Sequence, residues 1–207
     1  MMIKELGGRV ASVWDGLRPN TKKMLVGALQ TSTPTQPNTK PAKFSYDAHA
    51  DWEVSRLLRA LDEQSKKAKR AKRNSAKLAE MSQLADACAR VLESQSASAE
   101  VFIQLAERII KENDYHRLDR FADRLAERYS ASEIAEIVRQ TDIPQIRAIA
   151  YETLAMLPIM SITPLLDDPL YADIAAGALE QKAYEFDSDE ARDILDQFDA
   201  EIQLKGD

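Results

Sequence analysis

The segment from residue 47 to residue 61 reads DAHADWEVSRLLRAL, and its pattern decides the fold class. Asp47 is a residue type that caps helix N-termini, and the apolar residues after it recur at spacings of three and four, as they do on one face of a helix. These residues are Ala50, Val54, Leu57 and Leu61. Neither glycine nor proline, the two strongest helix breakers, occurs between Pro41 and Pro144. We therefore predict an all-α protein.

A second apolar stripe with helical spacing follows further along the chain. It consists of Leu78, Met81, Ala85, Cys88 and Leu92. Between the two stripes, residues 64–77 contain no apolar residue larger than alanine. Residues 47–97 therefore predict either a helical hairpin or one long helix.

Ahead of this region, residues 1–29 predict an amphipathic helix that ends near Pro19 and a short second helical segment. The candidate partner-binding residues of the first helix are Ile3, Leu6, Val10, Val13, Trp14 and Leu17. Exposing such side chains to water costs about 1.5 to 3 kcal/mol each, so something must cover them. We predict that the helix docks in an apolar groove of another protein. The rest of this chain and an anionic membrane surface are the alternatives.

Residues 30–46 separate the two regions. They are rich in threonine and contain three prolines, and residues 30–43 lack large apolar side chains. Such a composition supports neither helix nor core, so a flexible linker is predicted.

The net charge of −6 is distributed unevenly. Residues 1–46 sum to +5, residues 47–97 to +2 and residues 98–207 to −13. The densest basic run provides candidate anion-binding residues, which are Lys66, Lys67, Lys69, Arg70, Lys72, Arg73 and Lys77. The run predicts either contact with phosphates of nucleic acid or lipid, or simply a solvated surface. No aromatic residue lies within it, so sequence-specific binding of nucleic acid is not expected.

Residues 142–154 read DIPQIRAIAYETL, and a related stretch, DPLYADIAAGAL, begins at Asp168 and places its proline 25 residues after Pro144. The matching positions are Pro144, Ile146, Arg147, Ala150 and Leu154 in the first copy and Pro169, Ala175, Ala178 and Leu179 in the second, where Ala172 replaces the arginine. This pattern resembles the second helix of HEAT-like repeats, over roughly residues 131–185. The resemblance implies antiparallel helix pairs that stack into a protein-binding array, although the period is shorter than the usual 40 or so residues.

Residues that could carry chemistry are sparse. The chain has one cysteine and two histidines, and it lacks glycine-rich phosphate loops, nucleophile elbows and paired-cysteine motifs. One set would share a helix face, namely Glu112, His116, Asp119 and Asp123, but Asn113 and Asp114 indicate a helix start that removes Glu112 from it. We predict no catalytic residue, no metal site, no cofactor and no enzyme activity.

The resulting hypothesis is a non-catalytic protein-binding adaptor or scaffold. It would have a docking helix at 1–29, a linker at 30–46, a hairpin or long helix at 47–97 and an acidic helical-repeat region at 98–207. The alternative is a peripheral protein that binds phosphates of a membrane or nucleic acid through its basic segments. No apolar run is long enough to span a membrane, and charged residues interrupt any export signal, so a cytoplasmic location is predicted.

Overall fold

A computed structural model describes residues 3–30, 46–71 and 75–206, except for the side chains of Lys4 and of residues 201–206. Within these ranges the regular elements are all helices and there is no strand. The prediction of an all-α protein is confirmed. The chain divides into two compact units, Met1–Ser96 and Ala97–Asp207.

Unit 1 begins with a 3-10 helix, Ile3–Leu6, and continues with four α-helices. These are α1 (Gly8–Gly16), α2 (Pro19–Gln30), α3 (Ala48–Arg70) and α4 (Ser75–Gln95). Helices α3 and α4 pack against each other, α1 packs on α3, and α2 packs on α4. The predicted segment at 1–29 and the region at 47–97 therefore belong to the same unit, and most of the predicted linker, residues 31–45, lies outside the described residues.

Helices α3 and α4 form a hairpin and not one long helix. The Asp47 side chain accepts a hydrogen bond of 2.8 Å from the backbone N–H of Ala50, which confirms the predicted cap of α3. Leucines dominate the fully buried positions of the two helices: Leu57, Leu61 and Leu92 lie on the predicted stripes, and Leu58 and Leu84 lie beside them. Leu78, at the start of the second stripe, is half-buried.

Glycine is required at one turn of unit 1. Gly7 links the 3-10 helix to α1 with a φ of 126°, a backbone conformation that residues with a side chain rarely adopt. A Cβ atom at this position would lie 2.7 Å from Nε2 of Gln64 on α3. Gly7 thereby lets the start of the chain approach α3 closely.

Unit 2 contains α5 (Ala99–Lys111), α6 (Tyr115–Arg128), α7 (Ala131–Gln140), α8 (Pro144–Met156), the four-residue α9 (Ile159–Ile162), α10 (Ala172–Glu185) and α11 (Asp189–Gly206), with a 3-10 helix at Thr163–Asp167. Consecutive helices pack as the pairs α5–α6, α7–α8 and α10–α11. Alternate helices also pack together, α5 on α7, α6 on α8 and α8 on α10. The core includes Phe102 and Phe121, whose rings stack with centroids 4.6 Å apart.

The two prolines of the repeat-like pattern occupy different positions. Pro144 is the first residue of α8, where a missing N–H costs no helical hydrogen bond. Pro169 lies in the turn that follows the 3-10 helix, three residues before α10 begins at Ala172. The two copies of the pattern are therefore not equivalent at their first position.

Candidate functional site

The side chains predicted to bind a partner lie mostly inside unit 1. Leu6, Val10, Val13 and Leu17 are buried, while Ile3 and Trp14 are partly exposed. The face that carries the buried residues is covered by this chain's own hairpin, since α1 packs on α3. In this arrangement they form core and are not available to a partner's groove. The intramolecular alternative therefore replaces the tethered docking helix, because covering these residues locally removes their cost of exposure.

A buried carboxylate fixes the α1–α2 corner to α3. Glu53 on α3 is 2% exposed, yet it accepts hydrogen bonds from the backbone N–H of Arg18 at 2.7 Å, from Nε of Arg18 at 3.0 Å and from the hydroxyl of Thr21. The remaining guanidinium nitrogens of Arg18 bind both carboxylate oxygens of Asp47, at 2.7 and 3.0 Å. One arginine side chain therefore joins the corner to the start of α3.

These hydrogen bonds determine the charge state of the group. Burial by itself raises the pKa of Glu53, but the bonds from Thr21 and Arg18 outweigh it and hold the pKa below its usual value. Arg18 likewise holds the pKa of Asp47 well below its ordinary range. Both carboxylates are ionised at neutral pH and already paired, which is typical of a structural ion network and not of an acid or base awaiting a substrate.

The predicted anion-binding residues lie at the end of α3 and the start of α4. Lys66, Lys67, Lys69 and Arg70 are exposed on α3, and Lys77 is exposed on α4. Lys72 and Arg73 lie outside the described residues. The charged groups of the described residues in this run are accessible to solvent. Both contact with phosphates and a simple solvated surface require this.

The carboxylate and histidine set does not assemble on one helix. Glu112 follows α5, and Asp114 caps α6 by accepting a 3.1 Å hydrogen bond from the N–H of Arg117, as the sequence predicts. Glu112 instead pairs with Arg108 and Arg117. Over the described part of the chain, no group of three residues of metal-ligating type is found. Cys88 is buried, as its place on the apolar stripe predicts.

A groove opens between α10 and α11 of unit 2. Its volume is about 820 Å³, and its walls carry the acidic residues Glu180, Glu185 and Asp187. Tyr184 lines the same groove and is 91% exposed. Arg192 lies there too, paired with Asp187 and with Asp189. The apolar part of the wall includes Ala183 and Leu195.

Tyr184 was not among the residues singled out from the sequence, although a signal for it exists. The buried residues of α10 form one stripe, made of Ile174, Ala175, Ala178, Leu179 and Ala183. At 3.6 residues per turn, Tyr184 falls on the opposite side of that helix. An aromatic side chain opposite the buried stripe contributes nothing to the core, and its place beside the groove makes it a candidate contact residue.

A second carboxylate, Glu136 on α7, connects parts of unit 2. It accepts hydrogen bonds from Arg139 at 2.6 Å, from Gln140 at 2.5 Å and from the hydroxyl of Tyr171 at 3.0 Å. The bond from Arg139 is the main reason that the pKa of Glu136 falls to about 2. Because every oxygen contact points to another residue of this unit, the group is a structural tie between α7 and the turn before α10.

Comparisons with known proteins give no match, whether with family models, with curated proteins or with solved structures. None of the helices in the described ranges is both long enough and apolar enough to cross a membrane.

Proposed function

We propose that this chain is a non-catalytic adaptor built on helical repeats, and that it binds a basic segment of a partner protein in the groove between α10 and α11. The observation that carries the proposal is Tyr184, an aromatic side chain that is 91% exposed beside a groove lined by three carboxylates and one arginine. Tyrosine is among the residue types that most often anchor protein interfaces, and the groove beside Tyr184 could receive the side chain of a partner.

The packing of unit 2 supports the repeat part of the proposal. In stacked helical hairpins each helix contacts its partner and the corresponding helix of the next hairpin. The pairs α5–α6 and α7–α8, together with α5–α7 and α6–α8, follow this scheme. Such an array leaves its outer helices available for contact.

Charge selects the class of partner. Residues 98–207 sum to −13, and the groove contributes Glu180 and Glu185 beside Asp187, which is already paired with Arg192. A lysine or arginine side chain entering the groove would meet these carboxylates and could lie over the ring of Tyr184. An acidic partner would be repelled, so the proposed ligand is a cationic segment with at least one apolar side chain for the wall formed by Ala183 and Leu195.

Photocrosslinking tests the site. A photoreactive phenylalanine analogue is placed at position 184, and a control is placed at Tyr115 on α6, which is 54% exposed in the same unit. In extracts of the source cells we expect a crosslinked protein at position 184 that is absent at position 115, with the crosslink mapping to a basic segment. A crosslink to an acidic segment, or equal products at both positions, would refute the proposal.

The same partner, once purified, gives a quantitative check. The variant Tyr184→Ala/Glu185→Gln should raise the Kd about tenfold or more, because a buried aromatic anchor and a charge pair are lost. The control Tyr115→Ala/Glu127→Gln removes the same two residue types from α6 and should change the Kd less than about twofold. Equal effects from both variants would mean that the contact is not in this groove.

A further inference from the structure

The outward face of α3 carries a row of cations that extends beyond the basic run seen in the sequence. At 3.6 residues per turn, one tryptophan and five of its exposed cations fall within one strip opposite the buried stripe of the helix, whereas the exposed Lys69 lies to one side of it. These residues are Trp52, Arg56, Arg59, Lys66, Lys67 and Arg70, and we refer to them as the α3 cationic face. From position 52 to position 70 the face is about 27 Å long.

Trp52 gives the α3 cationic face an aromatic end. The indole is 55% exposed, and Cζ of Arg56 lies 5.1 Å from its ring centroid. The ring centroid of His49, which precedes Trp52 by three residues, lies 5.6 Å from the ring centroid of Trp52. No packing in unit 1 requires a tryptophan to be so exposed, and the neighbouring cation restricts the orientation of the ring.

One carboxylate interrupts the strip, but its charge is compensated. Glu63 lies on the same side of α3 and pairs with Arg9 of α1. Arg9 is itself largely exposed, so it adds a donor beside the strip. The cations therefore form two groups, Arg56 with Arg59 and Lys66 with Lys67 and Arg70, which lie about 10 Å apart along the helix axis.

We propose that the α3 cationic face binds single-stranded nucleic acid without sequence preference, with its cations along the phosphates and a base against Trp52. A groove or ridge of positive charge with an aromatic contact is how proteins hold single strands independently of sequence. The proposal concerns unit 1 alone and does not depend on the groove of unit 2.

The shape of the face favours a strand over a membrane. Helices that lie on lipid bury several large apolar side chains in the acyl boundary. The apolar face of α3 is already buried in unit 1, and Trp52 is the one large apolar residue on the α3 cationic face. A linear ligand can use a strip one helix face wide, whereas a bilayer would also press on the acidic side chains that flank it, such as Asp62.

The test is a binding titration of the full chain with an oligothymidylate of about 20 nucleotides, followed by fluorescence anisotropy of a dye on the oligonucleotide. Five cations in contact with phosphates predict that affinity falls about 100-fold between 50 and 200 mM salt. Vesicles of phosphatidylcholine and phosphatidylserine in equal parts form the parallel arm. Saturable binding of the oligonucleotide with this salt dependence is expected; binding of vesicles alone, or of neither, would overturn the proposal.

Two sets of variants separate the α3 cationic face from general charge. Arg59→Gln/Lys67→Gln should lower the magnitude of the salt slope by one to two, whereas Lys22→Gln/Lys23→Gln on α2 removes the same charge elsewhere in unit 1 and should leave the slope nearly unchanged. Equal slopes for the two double variants would overturn the assignment. Circular dichroism of each variant confirms that it is folded before binding is interpreted.

The aromatic contact has its own readout. Trp52→Ala should weaken binding about tenfold or more with an unchanged salt slope, since a stacking contact and not a charge is lost. Trp52→Tyr retains a ring and should recover most of the affinity. If Trp52→Ala binds as tightly as the unaltered chain, or if Trp52→Tyr is as weak as Trp52→Ala, the base-stacking part of the proposal is wrong.

Discussion

Both units have a core formed by helices, but the contacts that hold the helices together differ between them. Unit 1 joins helices that are distant in sequence, and its α1–α2 corner is held to α3 by the buried Glu53. Unit 2 packs helices that are near in sequence, and its polar ties lie closer to the surface, as Glu136 does. Residues 1–97 sum to +7 and residues 98–207 to −13. Bringing together helices that are distant in sequence costs more loop-closure entropy, and the buried hydrogen bonds of Glu53 help to select that contact, whereas neighbouring hairpins associate mainly through their apolar faces.

The largest expected effect comes from a charge introduced into the contact between α1 and α3, which should destabilise unit 1 and leave unit 2 folded. Val10→Asp places a carboxylate at a fully buried position and should destabilise unit 1 by about 3 kcal/mol or more. Amide hydrogen exchange should show lost protection in α1–α4 and retained protection in α5–α10. Val26→Asp, at an exposed position of α2, is the control. Unchanged protection of α3 and α4 in Val10→Asp would mean that α1 is not held on the hairpin, and would restore the partner-docking hypothesis.

Removing the two carboxylates compares the polar ties directly. Glu53→Ala leaves Arg18 and Thr21 without their buried acceptor and should cost about 2 to 3 kcal/mol. Glu136→Ala breaks a partly exposed set and should cost about 1 kcal/mol. Both values come from urea unfolding at neutral pH. Glu63→Ala, which breaks the exposed pair with Arg9, should cost less than either, and a larger loss at Glu136 than at Glu53 would contradict the contrast between the units.

The turn at Gly7 offers a matched pair of substitutions in unit 1. Gly7→Ala forces a side chain into a positive φ and against Gln64, and should lower the free energy of unfolding by about 1 to 2 kcal/mol. Gly8→Ala meets no atom within 4 Å and should be neutral or stabilising by up to about 1 kcal/mol. Thermal unfolding of the two variants measures the difference. The same loss for both would show that α1 does not need its close approach to α3.

The smallest expected effect is the pH dependence of unit 2. The pKa of Glu136 is about 2 in the folded chain and lies below its ordinary value, so its stabilising effect is present near neutral pH. That effect is lost as the pH falls from the ordinary range of a glutamate toward 2. In Glu136→Gln, the free energy of unfolding should therefore decrease less between neutral and acidic pH, by a difference of less than about 1 kcal/mol. Glu127→Gln, at an exposed position of α6, should leave that decrease unaltered; an identical difference there would exclude Glu136 as its source.

Helix positions were predictable to a useful degree because they depend on local sequence. The caps at Asp47 and Asp114 and the burial of Cys88 followed from residue type and spacing. Residues 64–77 left two possibilities open, since a solvated turn and a solvated helix have similar compositions. The packing of α3 on α4 resolved them in favour of a hairpin.

The candidate sites were less accessible from the sequence. The apolar stripe of residues 3–17 has the same pattern whether a partner or the chain itself covers it. The pattern therefore does not distinguish a docking helix from a core helix. Tyr184 and Trp52 were not predicted as site residues, because hydrophobic periodicity assigns no role to an aromatic residue on the polar side of a helix. Their exposure, and the groove or row of charges beside each, depends on how neighbouring helices end and pack.

The sequence by itself determined that the chain is helical, where several helices begin and which of their faces are apolar, because backbone propensity, capping and periodicity act over a few residues. The tertiary structure alone decided that the first helix serves as core and that Glu53 is buried yet ionised. It also decided which aromatic side chains remain in water. Those outcomes depend on which surfaces meet across long stretches of chain, and many pairings of apolar faces are equally consistent with the same local pattern.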